Sequence, residues 1–466
     1  MNRRTVLTGG AVGAMAVVLP AGASGAPHAA PAKTDAEIYG VPTVDPLISQ
    51  RADPWITKPV NGQYYFTGSV PEYDRLVVRG APTIEGLAGA EESVIWRRPA
   101  SGRMGGHIWA PELHRIGGRW YLYFAAGDAG EVFRIRTYVM ESALDDPRDP
   151  AGWVLKGQLL TEWDGFTLDA TSFTHKGRQY LVWAQSEPEI AVNTSLYIAE
   201  MANPWTLKTK PTRIATPTKS WEIIGYKVNE GPAVLIRNGQ VFLTFSASAT
   251  DSNYCMGLLT ASASADLLSR SSWTKHPDPI FTTNEATSRF GPGHNSFTVT
   301  PDGTDMLVYH ARDYKQITGD PLYDPNRHTR VQKLYWHEDG TPLFGIPVGS
   351  GGPIVRLSPA DKPRSFVKHE GDLVRTAHAP RELELTQFRF IAGTDGTPAE
   401  TVQSVDQPTK YLTVSGTTVA LGSTGTPVTR IAARGGVTLR VSPGRYILVK
   451  NGQLTVGNKA TVFRLS

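Results

Sequence analysis

One phrase recurs five times along this chain, and that repetition restricts its fold more than any other feature does. Each copy is a short apolar stretch, a turn containing glycine, and an aromatic-rich strand. The copies read ADPWITKPVNGQYYFTGS, WAPELHRIGGRWYLYFAAG, LDATSFTHKGRQYLVWAQS, NEGPAVLIRNGQVFLTFSAS and GHNSFTVTPDGTDMLVYHA. Their turn glycines, Gly62, Gly118, Gly177, Gly239 and Gly303, are spaced by 56, 59, 62 and 64 residues. Asn-Gly, Gly-Gly, Lys-Gly and Asp-Gly pairs favour the positive φ of tight hairpin turns, and the flanks alternate in β-formers. Five such units predict a five-bladed β-propeller over residues 41–350. The period exceeds the ~40–50 residues of better-known propeller repeats, so each blade carries extra loop. A β-sandwich would not by itself explain five near-equal periods.

Beyond Gly345 the texture changes. GIPVGSGGP is a turn-rich boundary, after which aromatics thin out and Val, Thr, Leu and Gly increase. A second repeat begins there: IVRLSPADKPRSFVKHEGDLVRT, TVQSVDQPTKYLTVSGTTVALG and TLRVSPGRYILVKNGQLTVG, with the related endings QFRFIA, VTRIAA and VFRLS. Three helix-free units predict a β-trefoil over residues 353–466, because three hairpins can cap one barrel where a single hairpin could not stay folded. The whole chain is therefore expected to be all-β. Its 46 Gly and 34 Pro suit many turns between short strands.

The formal charge of +4 is small for 466 residues and is not gathered into basic runs, so nucleic acid is not an expected partner. Cys255 stands alone, which excludes an intramolecular disulfide and Cys-rich zinc motifs and leaves an inert buried thiol as the better reading. The first 30 residues open with Arg3-Arg4, continue through an apolar run over residues 6–19 and contain no acid. This is the pattern of a signal peptide, cut between about residues 23 and 31. The apolar run is shorter than the ~20 residues of a spanning helix, so no membrane anchor is expected. The paired arginines resemble a bacterial twin-arginine signal, which exports folded proteins. A secreted monomer is the expectation.

Counting back eight or nine residues from each turn glycine reaches Asp53, Trp109, Asp169, Glu230 and His294. The innermost strands of propeller blades border one axis, so matched positions converge on one funnel. A lone Asp before Pro, such as Asp53, is often only a turn cap. Three acids at matched positions are harder to assign to turns. Glycoside hydrolysis needs such a set: a carboxylic acid to protonate the leaving oxygen, and a carboxylate to activate water or attack. A third acid can keep the proton donor's pKa high. The chain holds no GxSxG, HExxH, GxxxxGK or dinucleotide motif.

Over residues 44–346, ADPWI, GGHIWAPELH, LDATSF, NEGPAVL and GPGHNSF together resemble glycoside hydrolase family 43, the five-bladed propeller enzymes acting on arabinose- and xylose-containing polysaccharides. WAPELH and RWYLYFAAG look most like its exo-1,5-α-L-arabinofuranosidase branch. The resemblance implies Asp53 as general base, Glu230 as general acid and Asp169 as the residue that raises and orients the acid, with inversion of configuration and carboxyls ~6.5–9.5 Å apart. It also implies Trp109 as a floor for the sugar, with a structural Trp as the alternative. His294 matches the family's axial histidine, beside a water or a structural Ca²⁺, with a satisfied structural His as the alternative. Arg330 matches an arginine reaching base and sugar, although Arg327 and His328 stand beside it and a surface salt bridge is the plainer reading. No cofactor is required. Glu112 is acidic but differently offset, and is left out of the catalytic set. The C-terminal repeats resemble family 42 carbohydrate-binding modules, which take arabinofuranose side chains. His369 and Asp372 sit at that family's sugar-binding positions, whereas Val414 and Val449 replace the histidine in the other repeats, so a purely structural trefoil is the alternative. Arabinan or arabinose-bearing plant polysaccharides are the implied partners. The rival readings are a β-xylosidase or exo-β-1,3-galactanase of the same family, or an inactive glycan-binding propeller.

Overall fold

The computed structural model describes residues 44–393 and 398–466. The signal segment expected over residues 1–30, and with it the export route, lies outside the described residues. Five antiparallel sheets follow one another in sequence. Blade 1 comprises Ala52–Ile56, Tyr64–Ser69, Arg75–Ala81 and Ser93–Arg97, and blade 2 comprises Ile108–Ile116, Arg119–Asp128, Glu131–Ser142 and Trp153–Gln158. Blade 3 runs Thr167–His175, Arg178–Gln185 and Ser195–Asn203, with two short strands, Thr206–Leu207 and Thr212–Ala215, on its outer side. Asn229–Arg237, Gln240–Ala247, Cys255–Ser262 and Thr274–Lys275 form blade 4, and Phe290–Val299, Asp305–Arg312 and His328–Lys333 form blade 5.

The first strands of the five blades contact one another in ring order, blade 5 meeting blade 1, and so line the axis. The ring is closed by the segment before blade 1: Ile48 bridges Thr329 of blade 5, with Thr329 N–H donating to the Ile48 carbonyl at 2.9 Å. The predicted hairpin turns are present. In blades 1 to 4 both central residues have positive φ, as at Asn61-Gly62 and Asn238-Gly239, whereas blade 5 turns through a longer loop with only Gly303 in that region. Cys255 is buried, and burial pushes its thiol up to about 12, which keeps it un-ionised.

The C-terminal repeats form one closed sheet of twelve strands. Each repeat supplies four, and Ile354–Pro359 pairs with Phe463–Leu465 to close the barrel. The three inner hairpins meet at Leu373↔Ala420, Arg375↔Gln453 and Thr418↔Thr455. Val367, Leu412 and Ile447 occupy equivalent buried positions beneath them. Burying such a side chain contributes about 1.5–3 kcal/mol, so the hairpins gain together a core that none could form alone.

Candidate active site

Every inner strand breaks register at the same depth. The shifts fall between Ala52 and Trp55, Trp109 and Glu112, Glu230 and Ala233, and Gly293 and Ser296, and blade 3 has its shift opposite residues 168–171. Within each bulge one residue adopts a left-handed backbone: Asp53, Ala110, Asp169, Gly231 and His294, with φ of 53, 47, 56, 53 and 43°. A bulge lifts one N–H out of the ladder, and a buried N–H needs a partner. Here the preceding blade provides it. Asp53 N–H donates to His310 Nδ1 at 3.1 Å, Ala110 N–H to Ser69 Oγ at 2.8 Å, Gly231 N–H to Asp169 Oδ2 at 2.9 Å, and His294 N–H to Ser246 Oγ at 2.7 Å. In blades 1, 2 and 4 the next residue is proline, which has no N–H to satisfy.

This geometry refines the matched positions. Asp53, Asp169 and His294 are equivalent, but Trp109 and Glu230 each stand one residue before the bulge position, which Ala110 and Gly231 hold. Gly231 is needed there. Besides its positive φ, a Cβ would lie 3.1–3.3 Å from the ring and Cα of His294.

The expected axial residues do converge, apart from Arg330. Asp53, Trp109, Asp169, Glu230 and His294 line one cavity of about 730 Å³, with Tyr254 and Arg327 and with Phe133 and Tyr226 exposed at its mouth. Asp53 accepts a 2.5 Å hydrogen bond from the Ser69 hydroxyl, and His294 Nδ1 and Arg327 Nη1 lie 3.3 and 3.5 Å from its Oδ1. Burial alone would raise this carboxyl, but His294, Arg327, His310 and the Ser69 hydroxyl outweigh burial and hold it down at about 2. Glu230 behaves oppositely. Burial, with the Asp53 charge, lifts it to about 7, although the Tyr254 hydroxyl, donating to Oε1 at 2.8 Å, works in the other direction. Asp169 is pushed well above the usual carboxylate range by burial and by the charges of Glu230 and Asp53. Burial lowers the pKa of both His294 and His310, against the Asp53 charge that works to raise them. One carboxyl is therefore ionised and another holds a proton near neutral pH.

Arg330 requires a correction. It lies inside the strand His328–Lys333, where its guanidinium bonds Asp45 at 2.6 Å and Asp313 at 2.8 Å, away from the cavity. Arg327, just before that strand, reaches Asp53 and donates to the Tyr73 hydroxyl at 2.9 Å. Its Nε and the Trp109 Nε1 are buried without a hydrogen-bond partner, although other atoms of both residues line the cavity. Trp109 is also buttressed, packing edge-on to Tyr73 and against His107 and Phe133. Glu112 is buried against His114 at 2.9 Å and does not line the cavity.

Ser69, His310, Tyr254 and Arg327 were missed from sequence. Ser69, Ser246 and His310 all stand seven residues after a turn glycine, so counting forward as well as back would have found them. Tyr254 and Arg327 precede their strands in loops, where no such index exists.

The trefoil pair is also corrected. His369 is buried, and its Nε2 bonds Asp406 at 2.9 Å while Gln407 Nε2 lies 3.4 Å from its Nδ1. Asp372 sits at an exposed turn paired with Lys410. The hairpin turn between them directs the two side chains to different surroundings. As for the axial Ca²⁺, His294 turns Nδ1 toward Asp53 and Asp169, and among the described residues no group of three or more His, Cys, Asp or Glu is arranged to hold a metal.

A propeller with an ionised and a protonated carboxyl at its axis is equipped as a glycosidase. The family model for glycosyl hydrolases family 43 matches residues 44–342. An extracellular exo-α-(1→5)-L-arabinofuranosidase of Streptomyces avermitilis is 56% identical over 353 residues, covering 76% of this chain and 73% of that protein. α-L-Arabinofuranosidase 43 of Humicola insolens is 49% identical over 448 residues, 90% of this chain and 92% of its own. The crystal structure of an α-L-arabinofuranosidase from Lactobacillus brevis superposes with a TM-score of 0.64 at 54% identity, covering 66% of this chain and 98% of that one. The chain belongs to glycoside hydrolase family 43.

Proposed function

We propose that this protein is a secreted exo-acting α-L-arabinofuranosidase that removes terminal L-arabinofuranose from arabinan or arabinose-bearing polysaccharide with inversion. The observation that carries the reading is the opposite ionisation of Asp53 and Glu230 across one cavity. Asp53, held ionised, takes a proton from water as that water attacks the anomeric carbon. Glu230, held protonated, gives its proton to the departing glycosidic oxygen. Asp169 fixes Gly231, the residue after the acid, through the backbone N–H, and shares the site's proton with Glu230. Arg327 orients Asp53, and Trp109 lines the cavity beside it as a floor for the sugar ring.

The choice of sugar is supported by the arabinofuranosidase names of relatives at 48–56% identity, and the extracellular site by two of those names. Release from a chain end is supported by one wall of the cavity. Asp320, Pro321 and Leu322 form it, fastened by Tyr73 donating to the Leu322 carbonyl at 2.5 Å, by Arg312 on the Pro321 carbonyl at 2.8 Å, and by His107 against Tyr323 at 3.1 Å. The test is hydrolysis of nitrophenyl α-L-arabinofuranoside, nitrophenyl β-D-xyloside, linear arabinan and β-1,3-galactan. Arabinose as the main product is expected; xylose or galactose alone would overturn the reading.

A further inference from the structure

From residue 407 to residue 466 the chain carries eight Lys and Arg and no Asp or Glu. The cations are spread five to nine residues apart over the last repeat, so no basic run is visible in sequence. Folding brings them together. Arg434, Arg440, Arg445, Lys450, Lys459 and Arg464 are exposed or half-exposed. Val437 pairs with Phe463, and Leu439 and Phe463 point into the barrel core, so their neighbours Arg440 and Arg464 face outward. Arg434 lies at the turn beside Gly436, whose backbone abuts that of Arg464. On the next strand Arg445 and Lys450 mark the two ends, Arg445 donating to the Gly416 carbonyl of the second repeat at 2.6 Å and Lys450 standing at the hairpin tip, so they flank the band. Lys459 joins it because Thr461 Oγ1 takes the Val449 N–H from that same hairpin.

The first repeat is different. There Arg364 meets Glu338, Lys368 meets Glu382, Arg375 meets Glu370 and Arg381 meets Asp339. Among the described residues the six cations of the last repeat have no acidic partner. Adjacent like charges on a sheet oppose folding, and an external polyanion relieves that repulsion. Four of the six are arginines, whose planar forks suit carboxylates two hydrogen bonds at a time.

We propose that this outer face of the third trefoil repeat docks a polysaccharide bearing carboxylates, a polyuronate. The inference goes beyond the hydrolytic reading and rests on it only in choosing a sugar polymer over other polyanions. The surface would hold the enzyme on an acidic glycan while the propeller removes neutral arabinose from it.

The test is affinity electrophoresis of the full chain in gels containing polygalacturonate, fully methyl-esterified polygalacturonate or double-stranded DNA. The wild-type protein is expected to be retarded by the acid form, less so as salt is raised, and not by the neutral ester. Replacing Arg434, Arg440, Lys459 and Arg464 together by Gln should weaken the interaction by about tenfold or more. Thermal unfolding should not move to lower temperature, since the substitutions remove repulsion, and hydrolysis of a short arabino-oligosaccharide should stay unchanged, which separates lost docking from lost folding. Equal retardation of variant and wild type would overturn the proposal, as would equal binding of ester and acid, or tighter binding to DNA than to polyuronate. Failure of wild-type arabinose release would instead strike the hydrolytic reading and leave the docking result standing.

Discussion

Both domains bury histidine against carboxylate, and the pairs His294–Asp53 and His369–Asp406 differ in what surrounds them. At the propeller axis His294 lies 3.3 Å from Asp53, with the further acids Asp169 and Glu230 lining the same cavity and with Trp109 Nε1 and Arg327 Nε unpartnered. In the trefoil His369 lies 2.9 Å from Asp406, Ser404 donates to the same carboxyl at 2.6 Å, and Gln407 lies against the second ring nitrogen. Every polar group of that trefoil network finds a partner within it. The axial network cannot be closed in that way, because three carboxyls are crowded at one cavity and two buried donors beside them have no partner. Burial alone therefore does not mark a reactive site. What marks it is unresolved charge and unspent hydrogen-bonding capacity facing a cavity.

The strongest way to break this contrast is to remove the axial acid. Glu230→Ala should lower kcat on linear arabinan by about 10²–10⁴-fold, with a smaller loss on nitrophenyl arabinofuranoside, whose leaving group needs little protonation. Asp53→Ala should depress both substrates alike. Gly231→Ala imposes a left-handed backbone on a residue with a Cβ and drives that Cβ against His294, so a loss of about 1–3 kcal/mol in stability, read from denaturant unfolding, should accompany reduced activity.

His369→Val installs in the first trefoil repeat the residue that the other two repeats already carry. It should cost about 1–3 kcal/mol, by taking the imidazole partner from Asp406 and Gln407, and leave kcat on oligosaccharides unchanged. The smallest expected effect is on the pH profile. Glu230 must be protonated to act, so kcat/KM should fall as pH rises through about 7, while Asp53 stays ionised down to about 2. The Tyr254 hydroxyl stabilises ionised Glu230, so Tyr254→Phe should move the alkaline limb upward by about one unit.

The architecture was legible because both domains repeat, and a repeat reports its period without any knowledge of contacts. The turn glycines indexed Asp53, Asp169 and His294 correctly because the same bulge recurs in each blade. They misplaced Trp109 and Glu230 by one residue relative to that bulge, since two blades put a small residue, Ala110 or Gly231, where the backbone turns left-handed. Loop residues escaped the index: Arg327 and Arg330 are three apart in sequence, and only the start of the strand between them decides which one reaches the axis. The His369 partner was illegible for a related reason, because Asp406 comes from the next repeat. The net charge hid the trefoil's basic band, because acids elsewhere balance it.

A single displacement by the axial carboxyls on an arabinofuranosyl end inverts the anomeric carbon. Proton NMR of the first turnovers on an α-1,5-linked arabino-oligosaccharide reads this directly. β-L-Arabinofuranose is expected as the first-formed anomer, appearing from the chain end before mutarotation; initial release of the α-anomer, or of no arabinose, would rule out single displacement by Asp53 and Glu230.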